Sequence, residues 1–151
     1  MDETKILISN EEKARMVEEV LAAFNRHDLD YVANWHAESA LHHQPNRSEP
    51  LRGREAIRED YLQSTWKPFP DFKFELDRAF GQDEWFCIQG TLTGTHQAPI
   101  EGSGGERIPP TGKRINVPIC FVVRTKDDKA VEVWEYNDQL GFLEQLGLAP
   151  S

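Results

Sequence analysis

At Asp71 the hydrophobic period of this chain switches from that of a helix to that of a strand, and the switch limits the possible folds sharply. Phe72, Phe74 and Leu76 alternate with Lys73, Glu75 and Asp77, which puts one strand face in a core and the other in water. Asp83 marks a turn, and a longer strand is expected over residues 85–96, where Gly90 and Gly94 suggest a bulge or bend. Residues 99–112 are Gly-rich and aperiodic, so they read as a rim, with the stretch from Glu101 to Gly105 either a mobile lid or a plain surface loop. Residues 114–124 and 130–138 then form a hairpin across residues 125–129.

Upstream of the switch the pattern is helical. Ser9 followed by Glu12 is a capping box, and Val17, Val20, Leu21 and Phe24 form the apolar stripe of the helix it opens. Asp28 caps a second, short helix with Leu29, Val32, Ala33 and His36 on one face. A brief strand over residues 40–44 ends at Pro45. A third helix, residues 54–65, carries Ile57 and Tyr61 as an i, i+4 pair and closes at Pro68 and Pro70. Three helices followed by bulged strands define an α+β domain, a cone-shaped half-barrel of curved antiparallel sheet packed on three N-terminal helices. The hollow between the layers is the natural pocket.

With 151 residues, 38% of them hydrophobic, the chain is expected to be one domain spanning 1–151, with its core at about 11–147. A net charge of -9 with no basic stripe argues against nucleic acid and anionic membranes as partners. Cys87 and Cys120 sit inside apolar strand patterns, where core packing explains them and a disulfide framework does not. The acidic start of the chain does not resemble a signal peptide, and the apolar run at 117–123 is too short to span a bilayer. The cytoplasm is the expected location. Asn46-Arg47-Ser48 matches a glycosylation acceptor by chance in such a protein.

The end of the last strand, Trp134-Glu135-Tyr136-Asn137-Asp138, holds the leading candidate for chemistry. A carboxyl group in an oily pocket has its pKa raised and can move protons near neutral pH, which singles out Asp138. Asp138 also fits the cap of a following helix, and capping would lower its pKa instead, so the two readings stay open. Glu135 lies on the opposite strand face from Asp138 and reads as a solvated charge. His42 and His43 point to opposite faces of their strand, which disfavours a shared metal ion, and no third ligand stands at a standard spacing. Trp35, Tyr61, Trp66, Trp134 and Tyr136 are candidate walls for a planar ligand, and His96 for the pocket mouth. Core packing explains the same aromatics equally simply. The phenols of Tyr61 and Tyr136 could donate to a developing enolate oxygen.

His27-Asp28-Leu29-Asp30, Gly53-Arg54-Glu55-Ala56-Ile57-Arg58, Phe69-Pro70-Asp71 and Thr93-Gly94-Thr95-His96 occur in that order. Pro109-Pro110-Thr111-Gly112-Lys113 and the run from Trp134 to Leu143-Glu144-Gln145-Leu146-Gly147 follow. Together these pieces, over roughly residues 11–147, resemble the SnoaL-like polyketide cyclases of the nuclear-transport-factor-2-like superfamily. The resemblance implies a cyclase that closes a polyketide ring by intramolecular aldol condensation, with no metal or cofactor. It makes Asp138 the acid/base residue and His43 an assisting group that pairs with Asp138 or polarises a carbonyl. A small apolar oxygenated ligand is the implied substrate, and a homodimer through the exposed face of the sheet is implied as well. Two departures stand out. Val133 replaces the His that relatives often carry before the Trp of the last strand. Gln44, ahead of Pro45, replaces the carboxylate base of ketosteroid isomerases, which disfavours their mechanism. Rival readings are a non-catalytic ligand-binding protein and a hydratase, dehydratase or epoxide-opening enzyme. This last class needs water positioned by polar partners, so carboxamides or hydroxyls converging on Asp138 would favour it.

Overall fold

The computed structural model describes residues 5–101 and 107–148. Its elements run β1 (Ile6–Leu7), α1 (Glu11–Asn25), α2 (Leu29–Trp35), β2 (His36–His43), β3 (Leu51–Arg52) and α3 (Arg54–Tyr61). They continue with β4 (Lys73–Gln82), β5 (Trp85–Thr95), β6 (Ile100–Glu101), β7 (Arg107–Ile108), β8 (Arg114–Lys126), β9 (Lys129–Asn137) and α4 (Gln139–Gln145). Seven strands form one curved, unclosed sheet in the order β1-β4-β5-β8-β9-β2-β3, and β6 pairs with β7 apart from it. The α+β half-barrel expected from the pattern is present, with one difference in strand direction. The sheet is mixed, because β1 runs parallel to β4 and β2 parallel to β9.

The helices are tied to the sheet by side chains that satisfy exposed backbone groups. Asn10, not Ser9, caps α1: its Oδ1 accepts from the Lys13 N–H at 2.9 Å. At the other end Asn25 donates from Nδ2 to the Phe74 carbonyl (2.9 Å) and accepts the Phe74 N–H (2.8 Å). That double bond fixes α1 against β4 and turns Phe24 toward the hollow. Asp28 caps α2 as expected, accepting from the Tyr31 N–H at 3.0 Å. His36 leaves that helix to open β2, since its backbone is already extended.

The third helix is shorter than its periodicity suggests. After Tyr61 the chain widens into a π-helical turn, Leu62–Trp66, with Lys67 N–H reaching back to the Leu62 carbonyl. Such turns shift the side chains that follow, and here Tyr61, Ser64 and Thr65 all reach the cavity wall.

Sheet curvature has local causes. The β4–β5 register slips between Leu76 and Arg78, and Gly90 lies opposite that bulge. A Cβ on Gly90 would sit 2.2 Å from the Glu75 carbonyl oxygen and 2.5 Å from the Phe74 ring, so glycine there permits a close backbone approach. The β8–β9 hairpin is tighter than expected from residues 125–129. Asp127 (φ 52°) and Asp128 (φ 59°) make a two-residue turn in the left-handed region, which Asp tolerates.

Two apolar clusters fill the space between layers. Val17, Leu21, Phe74, Leu76, Ile88, Val123 and Val133 form one, and Phe69, Phe72, Ile115, Val117 and Leu146 the other, with Phe24 and Leu92 touching both. Burying each of the larger side chains contributes about 1.5–3 kcal/mol. Helix α4 closes the second cluster, held to β8 by Gln145, which accepts from Asn116 N–H (2.6 Å) and donates to its carbonyl (3.0 Å). No helix among the described residues is long and apolar enough to cross a membrane.

Candidate active site

Strand β9 decides which side chains meet in the hollow. Val133 is buried in the core, so the period of two places Glu135 and Asn137 on the same inner face and Trp134 and Tyr136 on the outer one. Strand β2 runs alongside in register, His42 beside Val133 and His43 beside Trp134. His42 therefore points inward and is fully buried, whereas His43 points outward.

The inward set forms a hydrogen-bonded chain. His42 Nε2–H donates to Glu135 Oε1 (3.1 Å), and Asn137 Nδ2 donates to Glu135 Oε2 (2.7 Å). Gln139 Nε2 in turn donates to Asn137 Oδ1 (2.5 Å). Each carboxylate oxygen of Glu135 thus has one protein donor and a lone pair to spare. The Glu135 side chain is only 14% exposed.

A second carboxylate lies across the wall. Asp60, at the end of α3, accepts from Gln44 Nε2 (2.8 Å) and from Arg47 Nη2 (3.3 Å). Arg47 also donates from Nε to Gln44 Oε1 (3.0 Å), closing a triangle. Arg47 beside Asp60 offsets its charge, whereas Glu135 is held by the His42 ring and the Asn137 carboxamide.

All of these groups except His42, which lies behind Glu135, line a cavity of about 220 Å³. Its polar end is Gln44, Arg47, Asp60, Tyr61, Ser64, Thr65, Glu135, Asn137 and Gln139. Phe24, Phe69, Leu92, Val117, Ile119, Phe121 and Phe142 are among its apolar walls. Tyr61 lines the same cavity, and burial, then Glu135 and Asp60, push its phenol well above the usual range. It stays a neutral donor. Ile100 and Ile108 form part of the rim and pair across β6–β7. Residues 102–106, the middle of the expected lid, lie outside the described residues.

Beneath Tyr61 the inner wall continues to His36. Its Nδ1–H donates to the Val32 carbonyl (2.9 Å), and burial, reinforced by the nearby His42, lowers its pKa to about 4. His36 is neutral at physiological pH. No cluster of three or more His, Cys, Asp or Glu that could hold a metal ion occurs among the described residues.

Several expected site residues fall elsewhere. Asp138 is exposed and caps α4, its Oδ1 accepting from Gly141 N–H at 2.8 Å, so of its two readings the geometry supports the cap. His43 does not approach Asp138: its Nε2–H donates to Glu132 (2.7 Å) and its ring stacks on Trp134, outside the cone. Trp134 stacks in turn on Trp85, and Tyr136 is 57% exposed, so neither wall residue faces the cavity. Trp66 packs against Phe24 and Phe72 and donates to the His27 carbonyl rather than lining the hollow. Trp35 borders a separate apolar void of about 60 Å³ behind Tyr61. His96 is buried behind Phe69, its Nδ1 bound to Thr111, and lies off the pocket mouth. Tyr61 alone of the expected binding aromatics lines the main cavity.

Glu135, His42, Asp60, Arg47 and Gln44 were not singled out as a site by sequence reasoning. For Glu135 the sequence carries one signal: Val133 is the purely aliphatic residue of the last strand's end, and its parity marks the inner face; nothing local separates His42 from His43. Nothing in the sequence joins Asp60 to Gln44 and Arg47, which lie 16 and 13 residues away from it.

A helix-backed, half-open cone with a polar-ended apolar cavity is the architecture of the nuclear-transport-factor-2-like proteins. The family model of the SnoaL-like polyketide cyclases matches residues 14–146, and the chain belongs to that family. AclR from Streptomyces galilaeus, provisionally assigned as a hydroxylase, is similar at 26% identity and a TM-score of 0.75 over 94% of this chain and 100% of that one. Wild-type IdmH from Streptomyces antibioticus, provisionally assigned as a polyketide cyclase, is 26% identical, with a TM-score of 0.71 over 89% of this chain and 98% of that one. A Catenulispora acidiphila protein with a ketosteroid isomerase-like fold shares that fold at 16% identity, with a TM-score of 0.70 over 88% of this chain and 92% of that one. No curated protein matches the chain. Family and neighbours support a cyclase-type role.

Proposed function

We propose that this protein is a cofactor-independent cyclase or isomerase in which Glu135 moves a proton at a carbon next to a substrate carbonyl. The observation that carries this reading is the Glu135 carboxylate, held between His42 and Asn137 at the polar end of a cavity whose remaining walls are apolar. A carboxylate so oriented can take the proton and return it after the carbon–carbon bond closes, as aldol condensation of a polyketide-like chain requires. Tyr61, a neutral phenol lining the same cavity, supports this reading as a donor to the enolate oxygen. His42 holds Glu135 in position, and the aromatic and aliphatic walls hold the substrate folded, which replaces a bimolecular encounter.

The test is deuterium exchange at the α-carbon of an aryl β-keto ester in heavy water, followed by NMR. Glu135→Gln should slow protein-catalysed exchange by about 10²–10⁴-fold. Exchange at the wild-type rate would remove Glu135 from the mechanism.

A second reading is addition of water or opening of an epoxide. It is favoured by a specific feature: the carboxamides of Gln44, Asn137 and Gln139 and the hydroxyls of Ser64 and Thr65 line the same cavity as the carboxylates of Glu135 and Asp60. Those groups could orient a water on Glu135 while the opposite wall binds the leaving oxygen. Incorporation of labelled oxygen from water into product distinguishes this chemistry from ring closure, which takes none.

A further inference from the structure

Cys87 on β5 and Cys120 on β8 bring their sulfur atoms to 3.3 Å. In the ladder Cys87 faces Val122 and Cys120 faces Gln89, so the two are diagonal neighbours on adjacent antiparallel strands. Phe86, Ile88 and Ile119, the residues beside them in sequence, are buried in the core. Strand alternation therefore puts both thiols on the outer face of the sheet, where each is free and partly exposed. Core packing does not account for them, because the core is on the other side.

We propose that Cys87 and Cys120 form a dithiol modification site that low-molecular-weight disulfides oxidise to an intramolecular disulfide. The thiolate of one cysteine attacks a sulfur of the reagent, whose S–S bond breaks to release one thiolate and leave a mixed disulfide on the protein. The second cysteine then attacks the protein sulfur of that bond and displaces the other half of the reagent. Two protein thiols lose two electrons and two protons. The reagent gains both and departs as two thiols.

The geometry asks for little. The sulfurs must close from 3.3 Å to about 2.05 Å, a displacement on the scale of side-chain rotation. Burial, and then the neighbouring Cys120, push the Cys87 thiol up to about 12, so Cys87 rests as a thiol near neutral pH and its exchange quickens as pH rises. The bond would join the two strands whose inner faces carry Leu92, Val117, Ile119 and Phe121 of the cavity wall. It would also enclose the rim ladder of Ile100 with Ile108. The site lies on the face of the sheet opposite the cavity and uses none of the residues assigned to catalysis.

The experiment exposes the intact protein to oxidised glutathione at mildly alkaline pH, with free-thiol titration and intact mass as readouts. A second copy docked on this face would shield the sulfurs, so the reaction is run in dilute solution. The expected result is loss of both thiols, a mass lower by two hydrogens, and full reversal by a reductant. Cys87→Ser and Cys120→Ser should each stop at one stable glutathione adduct. Wild-type protein that keeps both thiols, accumulates glutathione adducts without closing, or forms only disulfide-linked dimers would overturn the proposal.

Discussion

His42 and Glu135 are held at 3.1 Å, nitrogen to carboxylate oxygen, although 93 residues separate them in the chain. The contact exists because β2 and β9 are parallel neighbours in register, which aligns His42 with Val133 and sets Glu135 two residues further along the same face. A buried imidazole that donates to a carboxylate restricts its rotation. Removing the ring should therefore act on the chemical step more than on binding. His42→Ala is expected to lower kcat in the α-carbon exchange assay about tenfold, equivalent to about 1.4 kcal/mol, with little change in KM. An unchanged kcat with a raised KM would place His42 in binding instead.

Asp138 should behave as a structural residue. Replacing it with Ala removes the acceptor for Gly141 N–H at the start of α4 and should cost about 1 kcal/mol in urea denaturation. Turnover should stay within about twofold, since the side chain is off the cavity and the loss is one of stability alone. Asp138→Asn keeps a capping oxygen and should be nearly neutral in both assays. A large loss of exchange activity in Asp138→Asn would return Asp138 to the mechanism.

Stability should fall with acid through a histidine rather than only through carboxylates. His36 has its pKa lowered from 6.5 to about 4 by burial, so between these values the unfolded chain takes up a proton that the folded protein refuses. Its contribution is complete above pH 6.5 and is lost progressively as pH falls toward 4. The difference amounts to about 3 kcal/mol. Denaturation curves measured across that range should show this slope, and His36→Phe, which has no titrating ring, should flatten it. The variant's absolute stability does not enter, because the slope is the readout.

Curvature of the sheet can be tested at Gly90. A methyl group there would collide with the Glu75 carbonyl oxygen and the Phe74 ring, and backbone cannot yield as a flexible side chain can. Gly90→Ala should destabilise the protein by roughly 1–3 kcal/mol. Gly112→Ala provides a useful contrast: it meets nothing within 4 Å, but its φ of 71° makes the substitution strained for a different reason, with no effect on packing.

Much of this architecture was readable in the chain. The alternation that begins at Phe72 marked β4 correctly, and Asp28 as a cap marked the start of α2. Both are local signals, carried by neighbours within a few residues. Errors arose where two local options have nearly equal energy. Ser9 and Asn10 are both competent caps, and Asn10 takes the role because its side chain reaches Lys13 N–H. The helix after Gly53 has an uninterrupted helical pattern, yet it widens at Leu62, where the chain must turn toward the sheet.

For the site, the order of residues along the chain dictates which chemical groups are available: carboxylates, carboxamides and imidazoles at the ends of apolar strands, inside a helix-backed half-barrel. It also determined that His42 and His43 face opposite ways, since a strand alternates whatever surrounds it. Which of the two faces the cavity is not a local property. That was decided by the parallel pairing of β2 with β9, as the choice between Glu135 and Asp138 was decided by the parity of Val133 and the start of α4. Shifting a strand by one residue exchanges its two faces at almost no local cost. Only burial of the whole apolar set against the helices selects one register, and that selection belongs to the tertiary structure.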